Sequence, residues 1–340
     1  MQLQLGRSQQ NVTSTRQRIR AVPQIMHAAA IDRFGPPEVL VPHVLPVPAI
    51  GANEVLIAID TAGVGPWDAD IREGWYPEGK PRFPLVLGVD GAGIVAAVGS
   101  RVRRLSVGDK VYSYSWANPK GGFYAEFIAV AASKVAPIPK RLDLQRAGAI
   151  PTTGLTALQG VDDALEVRPG ESVLVHGGSG GVGTLAVQFA KLRGARVLAT
   201  GAGRDGAALV RELGADMAID GKRRDLEEAV RRFAPNGIDA ILALVGGAAL
   251  ERALNAVRRG GRVAYPNGIE PQPKRRRGMK FITYNAASGI REFDRLNRAV
   301  EEATLQVPIA AEFNLTDAAK AHRRLARHVL GKIVLRTKQA

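Results

Sequence analysis

Short apolar segments alternate with segments of helical spacing through the second half of the chain. The apolar segments are VLVH (173–176), ARVLAT (195–200), DMAID (216–220), GIDAILALVG (237–246), GGRVAY (260–265) and MKFITY (279–284). Between them lie TLAVQFAKLRGA, GAALVREL, DLEEAVRRFA and AALERALNAVRR, whose apolar residues recur at helical spacing. Strands that alternate with helices form a parallel sheet covered on both faces. The pattern therefore predicts an α/β, doubly wound parallel sheet over about residues 148–288.

The first of these strands runs directly into a glycine-rich turn, VLVHGGSGGVG at 173–183. Gly178, Gly180 and Gly183 stand at G-x-G-x-x-G spacing, where a tight turn, a close approach by pyrophosphate and helix-to-strand packing each exclude a side chain. The free amides of the helix that follows suit a phosphate. Spacing alone also fits an ordinary glycine-rich loop, but the strand and helix around it favour dinucleotide binding. The predicted cofactor-binding residues of this loop are Gly178, Ser179, Gly180, Gly181, Val182 and Gly183.

The end of the second strand predicts which dinucleotide binds. NAD-binding turns carry an acid there for the adenine ribose, whereas this strand ends at Gly201, and Arg204 follows. We interpret Gly201 as leaving space for a 2′-phosphate and Arg204 as its forked donor, which predicts NADPH. Asp205 would then point away or cap the next helix. The alternative is that Arg204 lies on a solvated loop.

The first half of the chain has a different pattern, with short β-rich pieces separated by Gly and Pro. Examples are EVLIAIDTAGV (54–64), GAGIVAAVG (91–99) and GDKVYSY (108–114). They predict a compact, partly open barrel over residues 26–147. Residues 289–340 contain two helical patterns and a last strand beyond a completed sheet, so they need another core to cover. We expect them to return to the barrel.

Composition narrows the class of protein. The chain has 340 residues, 46% of them apolar, and no cysteine, so disulfides and thiolate metal sites are excluded. No apolar stretch is long enough for a membrane span, and we expect a cytoplasmic protein. Residues 1–25 are polar and basic and predict a disordered extension, with an organelle presequence as the alternative.

The net charge of +15, from 47 Lys and Arg against 32 Asp and Glu, raises nucleic acid as a partner. The densest basic run, Lys274–Arg277, lies in a Pro-rich loop without a recognition helix or interleaved aromatic residues. We therefore favour a solvated basic loop. The alternatives are that the loop binds nucleic acid, or that its positive electrostatic field attracts anionic ligands.

Six segments occur in the order seen in the medium-chain dehydrogenase/reductase superfamily. They are HAAAIDRFGPPEVL (27–40), GANEVLIAIDTAGVGPWDADIREGWYP (51–77), PLVLGVDGAGIVAAVGSRVRRLSVGDKVYSY (84–114), GGFYAEFIAV (121–130), PTTGLTAL (151–158) and VLVHGGSGGVG. The resemblance extends from about Met26 to the closing GKIVL and is strongest to the zinc-independent quinone oxidoreductase branch. It implies a Rossmann domain inserted in a GroES-like β-barrel catalytic domain, with the nicotinamide in the cleft between them.

The resemblance also bears on metal binding. Zinc-dependent relatives hold zinc with a cysteine and a histidine, where this sequence has the neighbourhood of Pro66 and Val89–Asp90. The five histidines do not cluster in sequence, so we predict no metal site. We expect His176 and His322 to be buried, hydrogen-bonded residues. Without a Lewis acid, reduction of an electron-poor acceptor is the feasible chemistry, since a quinone or an α,β-unsaturated carbonyl accommodates the charge on its own oxygen.

The predicted substrate cleft lies in GPWDADIREGWYP (65–77). This stretch resembles the family's N-P-x-D and R-x-G-x-Y-P motifs, except that Gly65 stands where the family usually has an asparagine. Tyr76 is the candidate that orients or protonates the acceptor oxygen, with an aromatic wall as the alternative role. Trp67 and Trp75 are candidates for the floor of the cleft, and Asp68 for a structural partner of Arg72.

Further cofactor contacts are implied by the resemblance. They are Thr152 near the nicotinamide, Val245 and Gly246 after the fourth strand, and Tyr265, Pro266 and Asn267 at the end of the fifth. Lys332 is a weaker candidate for the cleft. The predicted function is NADPH-dependent reduction of a small quinone or enone by a homodimer. The alternatives are an enoyl thioester reductase and a non-catalytic NADPH-sensing or RNA-binding protein.

Overall fold

The computed structural model describes residues 22–75, 81–221 and 226–337. The first part of the chain contains eight strands and one helix. In chain order they are β1 (Ile25–Ile31), β2 (Leu40–Pro46), β3 (Glu54–Val64), α1 (Pro66–Arg72), β4 (Leu85–Val86), β5 (Asp90–Val98), β6 (Lys110–Tyr114), β7 (Phe127–Ala131) and β8 (Val135–Pro137). β1 begins one residue before the predicted start of the barrel, and the Gln24 carbonyl accepts from the Val47 amide. The predicted disordered extension is therefore wrong for its last residues, and residues 1–21 lie outside the described part.

The middle of the chain alternates between helix and strand. Its elements are α2 (Leu144–Ala149), α3 (Pro151–Gln159), β9 (Ser172–His176), α4 (Gly181–Leu192), β10 (Arg196–Gly201), α5 (Gly203–Glu212), β11 (Met217–Asp220), α6 (Leu226–Phe233), β12 (Ile238–Ala243), α7 (Ala248–Ala253), β13 (Val257–Pro266) and β14 (Lys280–Tyr284). The predicted helix AALERALNAVRR is shorter than expected, because β13 begins at Val257 and takes over its last residues. The other predicted strands of this region are all present.

The chain ends with α8 (Ile290–Ala303), β15 (Ile309–Asn314), α9 (Ala318–Leu325) and β16 (Lys332–Arg336). The helices and the last strand match the expectation, whereas β15 was not predicted. β16 pairs antiparallel with β3 of the first half, and β15 pairs parallel with β16. The end of the chain therefore completes the sheet that its beginning started.

Three sheets form the framework of the described residues. β2-β1-β4 is a small antiparallel sheet, and a mixed sheet of barrel strands has the order β15-β16-β3-β5-β6-β8, with β7 also on β3. The third sheet is parallel, with six strands in the order β11-β10-β9-β12-β13-β14. This is the predicted doubly wound α/β sheet, and the order of its strands reverses between β9 and β12. Ligands of such sheets bind at that reversal, beyond the carboxyl ends of the strands.

The two predicted strands at the reversal are buried on both faces, as their continuous apolar sequences require. Every residue of β9 is buried, including His176 at its end. One large hydrophobic core links strands of the barrel to β9, β10 and α4, so the two halves pack against each other around the glycine turn.

Candidate active site

The glycine turn after β9 is built as the spacing predicted. α4 begins at Gly181, and its N-cap Gly180 supplies no side-chain cap, so the first amides of the helix stay available. A Cβ on Gly183 would lie 2.2 Å from the Gly177 carbonyl oxygen, which explains the glycine by close packing of helix on strand. A Cβ on Gly180 would meet nothing nearer than 3.7 Å. The turn thus leaves an open face of backbone at Gly180, as a pyrophosphate needs.

Ser179 and the chain near residue 331 hold this turn in place. The buried Ser179 hydroxyl accepts from the Ala202 amide at 3.1 Å, and the Ser179 carbonyl accepts from the Gly331 amide at 2.9 Å. Gly180 and Gly331 also form an isolated parallel bridge. The end of β10 and the return to the barrel are therefore both anchored to the turn, and Val182 lies half-buried in the first turn of α4.

The tip of β10 corrects one part of the sequence interpretation. Gly201 is buried, and a Cβ there would lie 2.0 Å from the Gly206 carbonyl carbon. Its missing side chain therefore makes room for α5, and the expectation that it makes room for a 2′-phosphate is wrong. Arg204 is exposed in the first turn of α5 and has no ion pair or hydrogen bond to a described residue.

An acid that the sequence analysis did not consider lies beside this tip. Asp220 ends β11, opposite Gly201 in the parallel register, and its carboxylate accepts from the Gly203 amide at 3.0 Å. Asp205 lies in the first turn of α5 but does not cap it, because the N-cap is Ala202 without a side-chain bond. Asp220, and not Asp205, therefore accepts a hydrogen bond from the first amide of α5.

The predicted nicotinamide-side residues occupy the carboxyl ends of β12 and β13. Val245 and Gly246 follow β12, and Val245 is exposed. Tyr265 is buried and Pro266 half-buried at the end of β13, whereas Asn267 is exposed and its amide donates to the Tyr284 carbonyl. All of them lie at the edge of the sheet where the Rossmann crevice opens.

Thr152, at the start of α3, contacts a buried polar cluster on the barrel side. Its amide donates to Asp90 Oδ2 at 2.9 Å, and Asp90 Oδ1 lies 3.9 Å from Lys332 Nζ. Lys332 Nζ also lies 4.9 Å from the centre of the Trp67 ring. We name Trp67, Asp68, Asp90, Thr152 and Lys332 the seam cluster, because it lies where barrel and parallel sheet meet.

The expected pairing of Asp68 with Arg72 is absent from the structure. Asp68 Oδ2 accepts from the Gly65 amide at 2.8 Å and so caps the start of α1. Arg72 points elsewhere, with Nε donating to the Gly35 carbonyl and Nη1 lying 2.8 Å from His322 Nδ1. The side chains diverge because the helix-capping bond turns Asp68 back toward residue 65.

Arg72 instead sets the direction of the hydrogen bonds in a series of buried groups that ends at Asp68. Since a guanidinium only donates, His322 Nδ1 must accept from it, and the proton of the neutral ring is on Nε2. His322 Nε2 lies 3.2 Å from the Tyr124 hydroxyl, so it donates there, and the Tyr124 proton is left for the carboxyl of Asp68 with which it interacts. The expectation that His322 is a buried, hydrogen-bonded residue is confirmed, and His176 likewise contacts Thr200 Oγ1 at 3.1 Å.

Burial governs the protonation of these groups. Burial raises the pKa of Asp68 to about 7, and the nearby Asp90 carboxylate adds to this increase. Lys332, the Gly65 amide and Tyr124 each lower the same pKa, but their effects are smaller in sum. Burial, assisted by Arg72, lowers the pKa of His322 to about 3, and burial lowers the pKa of His176 to about 4. Both histidines are therefore neutral at pH 7.

A pair of tryptophans lies just beyond the end of α1. Trp75 is 59% exposed and lies edge-on to Trp116, with ring centroids 5.7 Å apart. Trp67 is half-buried in the seam cluster, so the two candidate cleft tryptophans differ in environment. Tyr76, the candidate catalytic residue, lies outside the described residues.

Comparison with known proteins places this geometry in a family. Residues 51–140 match the alcohol dehydrogenase GroES-like domain, and residues 181–286 match the zinc-binding dehydrogenase domain. A quinone oxidoreductase of Mus musculus is 32% identical over 325 residues, which cover 91% of this chain and 96% of that protein. The chain belongs to the quinone oxidoreductase-like branch of the medium-chain dehydrogenase/reductase superfamily.

Two further relatives show the range of this superfamily. A chloroplastic NADPH-dependent alkenal/one oxidoreductase of Arabidopsis thaliana is 31% identical over 93% of this chain and 80% of that protein. A crystal structure of an NAD-dependent alcohol dehydrogenase is 34% identical, with a TM-score of 0.85 over 92% of this chain and 100% of that one. The resemblance inferred from sequence and the predicted fold class are thus confirmed, and the chain is an oxidoreductase of this superfamily.

Sequence resemblance places the metal ligands of zinc-dependent relatives near Pro66 and at Val89–Asp90. Gly65 caps α1, where a Cβ would lie 2.4 Å from the Trp67 ring, and Val89 is a buried core residue. Within residues 22–75, 81–221 and 226–337, no group of three or more metal-ligating side chains occurs. Over the same residues, no helix is long and apolar enough to cross a membrane.

Sequence reasoning named Trp67, Asp68 and Thr152 singly but missed that they form one cluster with Asp90 and Lys332. Lys332 was only a weak candidate, Asp90 was noted for what it replaces, and Tyr124 was not considered. The one signal available was charge inside an apolar strand, since LGVDGAG and GKIVL each place a charged residue at the start of a buried strand. Such a residue needs a partner, but the sequence could not show that the partners lie more than 200 positions apart.

Proposed function

We propose that this protein reduces a quinone or an α,β-unsaturated carbonyl with NADPH and without zinc. The observation that carries the proposal is the open glycine face at Gly180 beside the seam cluster. The relatives named for quinones and alkenals support the same substrate class. Neither Gly65 nor Val89 offers a thiolate or an imidazole as a metal ligand. This supports a reaction in which the acceptor oxygen itself carries the negative charge that hydride transfer produces.

The cofactor fits the residues present. The uncapped amides of α4 and the open backbone at Gly180 suit a pyrophosphate, with Gly178, Ser179, Gly181, Val182 and Gly183 forming the turn. When bound, NADPH supplies the hydride. Thr152 and the ends of β12 and β13 would orient the nicotinamide, and the packed seam between the two halves would exclude water.

NADPH in preference to NADH rests on Arg204. Its guanidinium is exposed and without a partner among the described residues, at the strand tip where the adenine ribose of such cofactors lies. A forked donor suits phosphate oxygens. The relative named as NADPH-dependent agrees with this choice, and the NAD-dependent structure shows that the fold also serves the other cofactor.

Tyr76 remains our proposed residue for orienting or protonating the acceptor oxygen. Tyr76→Phe should lower kcat/KM about tenfold, or about 1.4 kcal/mol, because it removes one neutral hydrogen bond to the acceptor oxygen. Unchanged kinetics would make Tyr76 a wall of the cleft, and a loss of about a thousandfold in kcat would make it an essential acid.

We also propose a barrel domain at 26–147 and 289–340 and a Rossmann domain at 148–288. We further propose a cytoplasmic location and a homodimer. β14 supports the dimer, since it is the last strand of the parallel sheet and pairs only with β13 among the described strands. Closed dimers are the commonest assemblies.

The test of function is steady-state oxidation of NADPH with a panel of acceptors at matched concentration. Simple quinones and short enones should be reduced, and an enone should outperform its coenzyme A thioester. Preference for the thioester would point to an enoyl thioester reductase. No turnover with any acceptor, together with tight NADPH binding, would favour a sensing protein and overturn the proposal.

A further inference from the structure

The seam cluster contains buried polar atoms that have no hydrogen-bond partner in the described structure. They are Trp67 Nε1, Asp68 Oδ1, Asp90 Oδ1, Thr152 Oγ1 and Lys332 Nζ. Buried polar groups are normally satisfied, and each unsatisfied one costs free energy. The contacts of Lys332 with Asp90 and Trp67, and of Asp90 with Thr152, join four of these residues into one group. A polar guest with an accepting oxygen would satisfy the donors of this group, Lys332 Nζ and Trp67 Nε1, while the Asp90 carboxylate faces the ammonium.

Lys332 defines the chemistry of that guest. Its side chain is 5% exposed, and its ammonium carries three N–H donors, none of which is used within the described residues. At 3.9 Å, Asp90 Oδ1 is close enough for charge attraction but beyond hydrogen-bond distance. The Trp67 ring beneath it offers a π face and no acceptor oxygen. The guest must therefore present an oxygen that accepts.

Two ligand oxygens would accept from this ammonium, that of a cofactor phosphate and that of the hydride acceptor. The stem of Lys332 passes the start of α4, with Cδ 3.6 Å from where a Cβ of Gly181 would lie. Its head group lies beside Asp90 and Trp67, two residues of the barrel side. The direction of the side chain thus favours the barrel-side ligand, which is the acceptor.

We propose that Lys332 is a catalytic residue that donates a hydrogen bond from Nζ to the acceptor oxygen as negative charge develops on it. This inference rests on the proposed function. Asp90 and Trp67 hold the ammonium in place, and a fixed donor aimed at developing charge in a dry site lowers the barrier. After hydride transfer, the O–H bond of the product forms as an N–H bond of Lys332 breaks, and solvent returns the proton to the amine once the product has left.

The test uses p-nitrophenol, whose absorption reports its ionised form, with the protein saturated by NADP⁺. A cation within reach should lower the pKa of the bound phenol by about one to three units relative to free p-nitrophenol. Lys332→Met should abolish that shift, whereas Lys332→Arg should keep it. Lys320→Met removes a lysine that is exposed and paired with Asp317, and should behave like the unmodified protein.

Kinetics provide the second readout. Lys332→Met should lower kcat/KM about a hundredfold, as loss of one oxyanion donor does, with unchanged NADPH affinity. If Lys332→Met fails to fold, Lys332→Gln serves, since it also lacks the charge.

The outcomes are separable. If the unmodified protein reduces quinones but the phenol pKa is the same with and without the Lys332 charge, the inference is wrong and the proposed function stands. If the phenol pKa responds to Lys332 but no acceptor is reduced, the proposed function is wrong. If Lys332→Met weakens NADPH binding and leaves the phenol unaffected, the guest is a cofactor phosphate and the inference is overturned.

Discussion

Two glycines of the same turn should respond in opposite ways to the same substitution. Gly180 has φ −82° and ψ 176°, which alanine adopts without strain, and its new Cβ would meet nothing nearer than 3.7 Å. Gly180→Ala should therefore change the free energy of unfolding by less than about 1 kcal/mol. The methyl group would, however, project into the open face on which the pyrophosphate must lie.

The expected loss of affinity follows from the bonds displaced. A charge-assisted hydrogen bond is worth about 1.5–3 kcal/mol, so loss of one raises the Kd for NADPH by about ten- to a hundredfold. Gly183→Ala differs, because its Cβ would lie 2.2 Å from the Gly177 carbonyl oxygen and 2.6 Å from Gly178 Cα. Backbone cannot move aside cheaply, so we expect overpacking to cost about 1–3 kcal/mol of stability.

The assay combines isothermal titration with NADPH and thermal unfolding of the cofactor-free protein. Gly180→Ala should keep its Tm and lose affinity, whereas Gly183→Ala should unfold at lower temperature. The reasoning is refuted if Gly180→Ala binds NADPH as tightly as the unmodified protein, since the turn would then not hold the pyrophosphate. Equal Tm values for Gly183→Ala and the unmodified protein would refute the packing argument.

Three further predictions follow from the same structure. Arg204→Ala should raise the KM for NADPH about ten- to a hundredfold and leave NADH nearly unaffected, with Arg211→Ala on the same helix as control; an equal loss for both cofactors would contradict the 2′-phosphate assignment. The free energy of unfolding should fall by about 1.4 kcal/mol per pH unit as the pH drops from about 6.5 to about 4. In this range the unfolded chain binds two more protons than the folded protein at His176 and His322, because burial lowers the pKa of both histidines. The raised pKa of Asp68 has the opposite effect and cancels one of these two protons. Denaturant unfolding should then show a flatter slope for His322→Gln and a steeper one for Asp68→Asn, and unchanged slopes would disprove the linkage. Prolonged chelation should leave turnover and Tm unaltered, and zinc-restored activity would contradict the zinc-free assignment.

The oligomeric state is tested by light scattering at micromolar concentration. We expect twice the chain mass of 36.2 kDa. A particle of the chain mass would contradict the proposed pairing.

The sequence by itself determined the parallel sheet and its glycine turn. Apolar runs that alternate with helical spacing admit few arrangements, and Gly178, Gly180 and Gly183 each answer a local requirement that neighbouring residues impose. It also indicated that His176 and His322 would be buried, since no ligand partner lay near them in sequence. β15 escaped prediction because Glu312 and Asn314 interrupt its short apolar segment, and none of its residues is buried at the edge of the sheet.

The tertiary structure decided what depends on distant segments. The sequence predicts space for a phosphate at Gly201, but the path of α5 places the backbone of Gly206 in that space. Asp68 was expected to pair with Arg72 by helical spacing, yet the bond at Gly65 turns it away, and Arg72 meets His322, which lies 250 residues further along the chain. Local spacing determines which side chains can be neighbours on one helix, whereas the partner of a buried charge is set by whichever strand or helix packs over it. The seam cluster exists because β16 returns to β3, and that return places Lys332 beside Asp90.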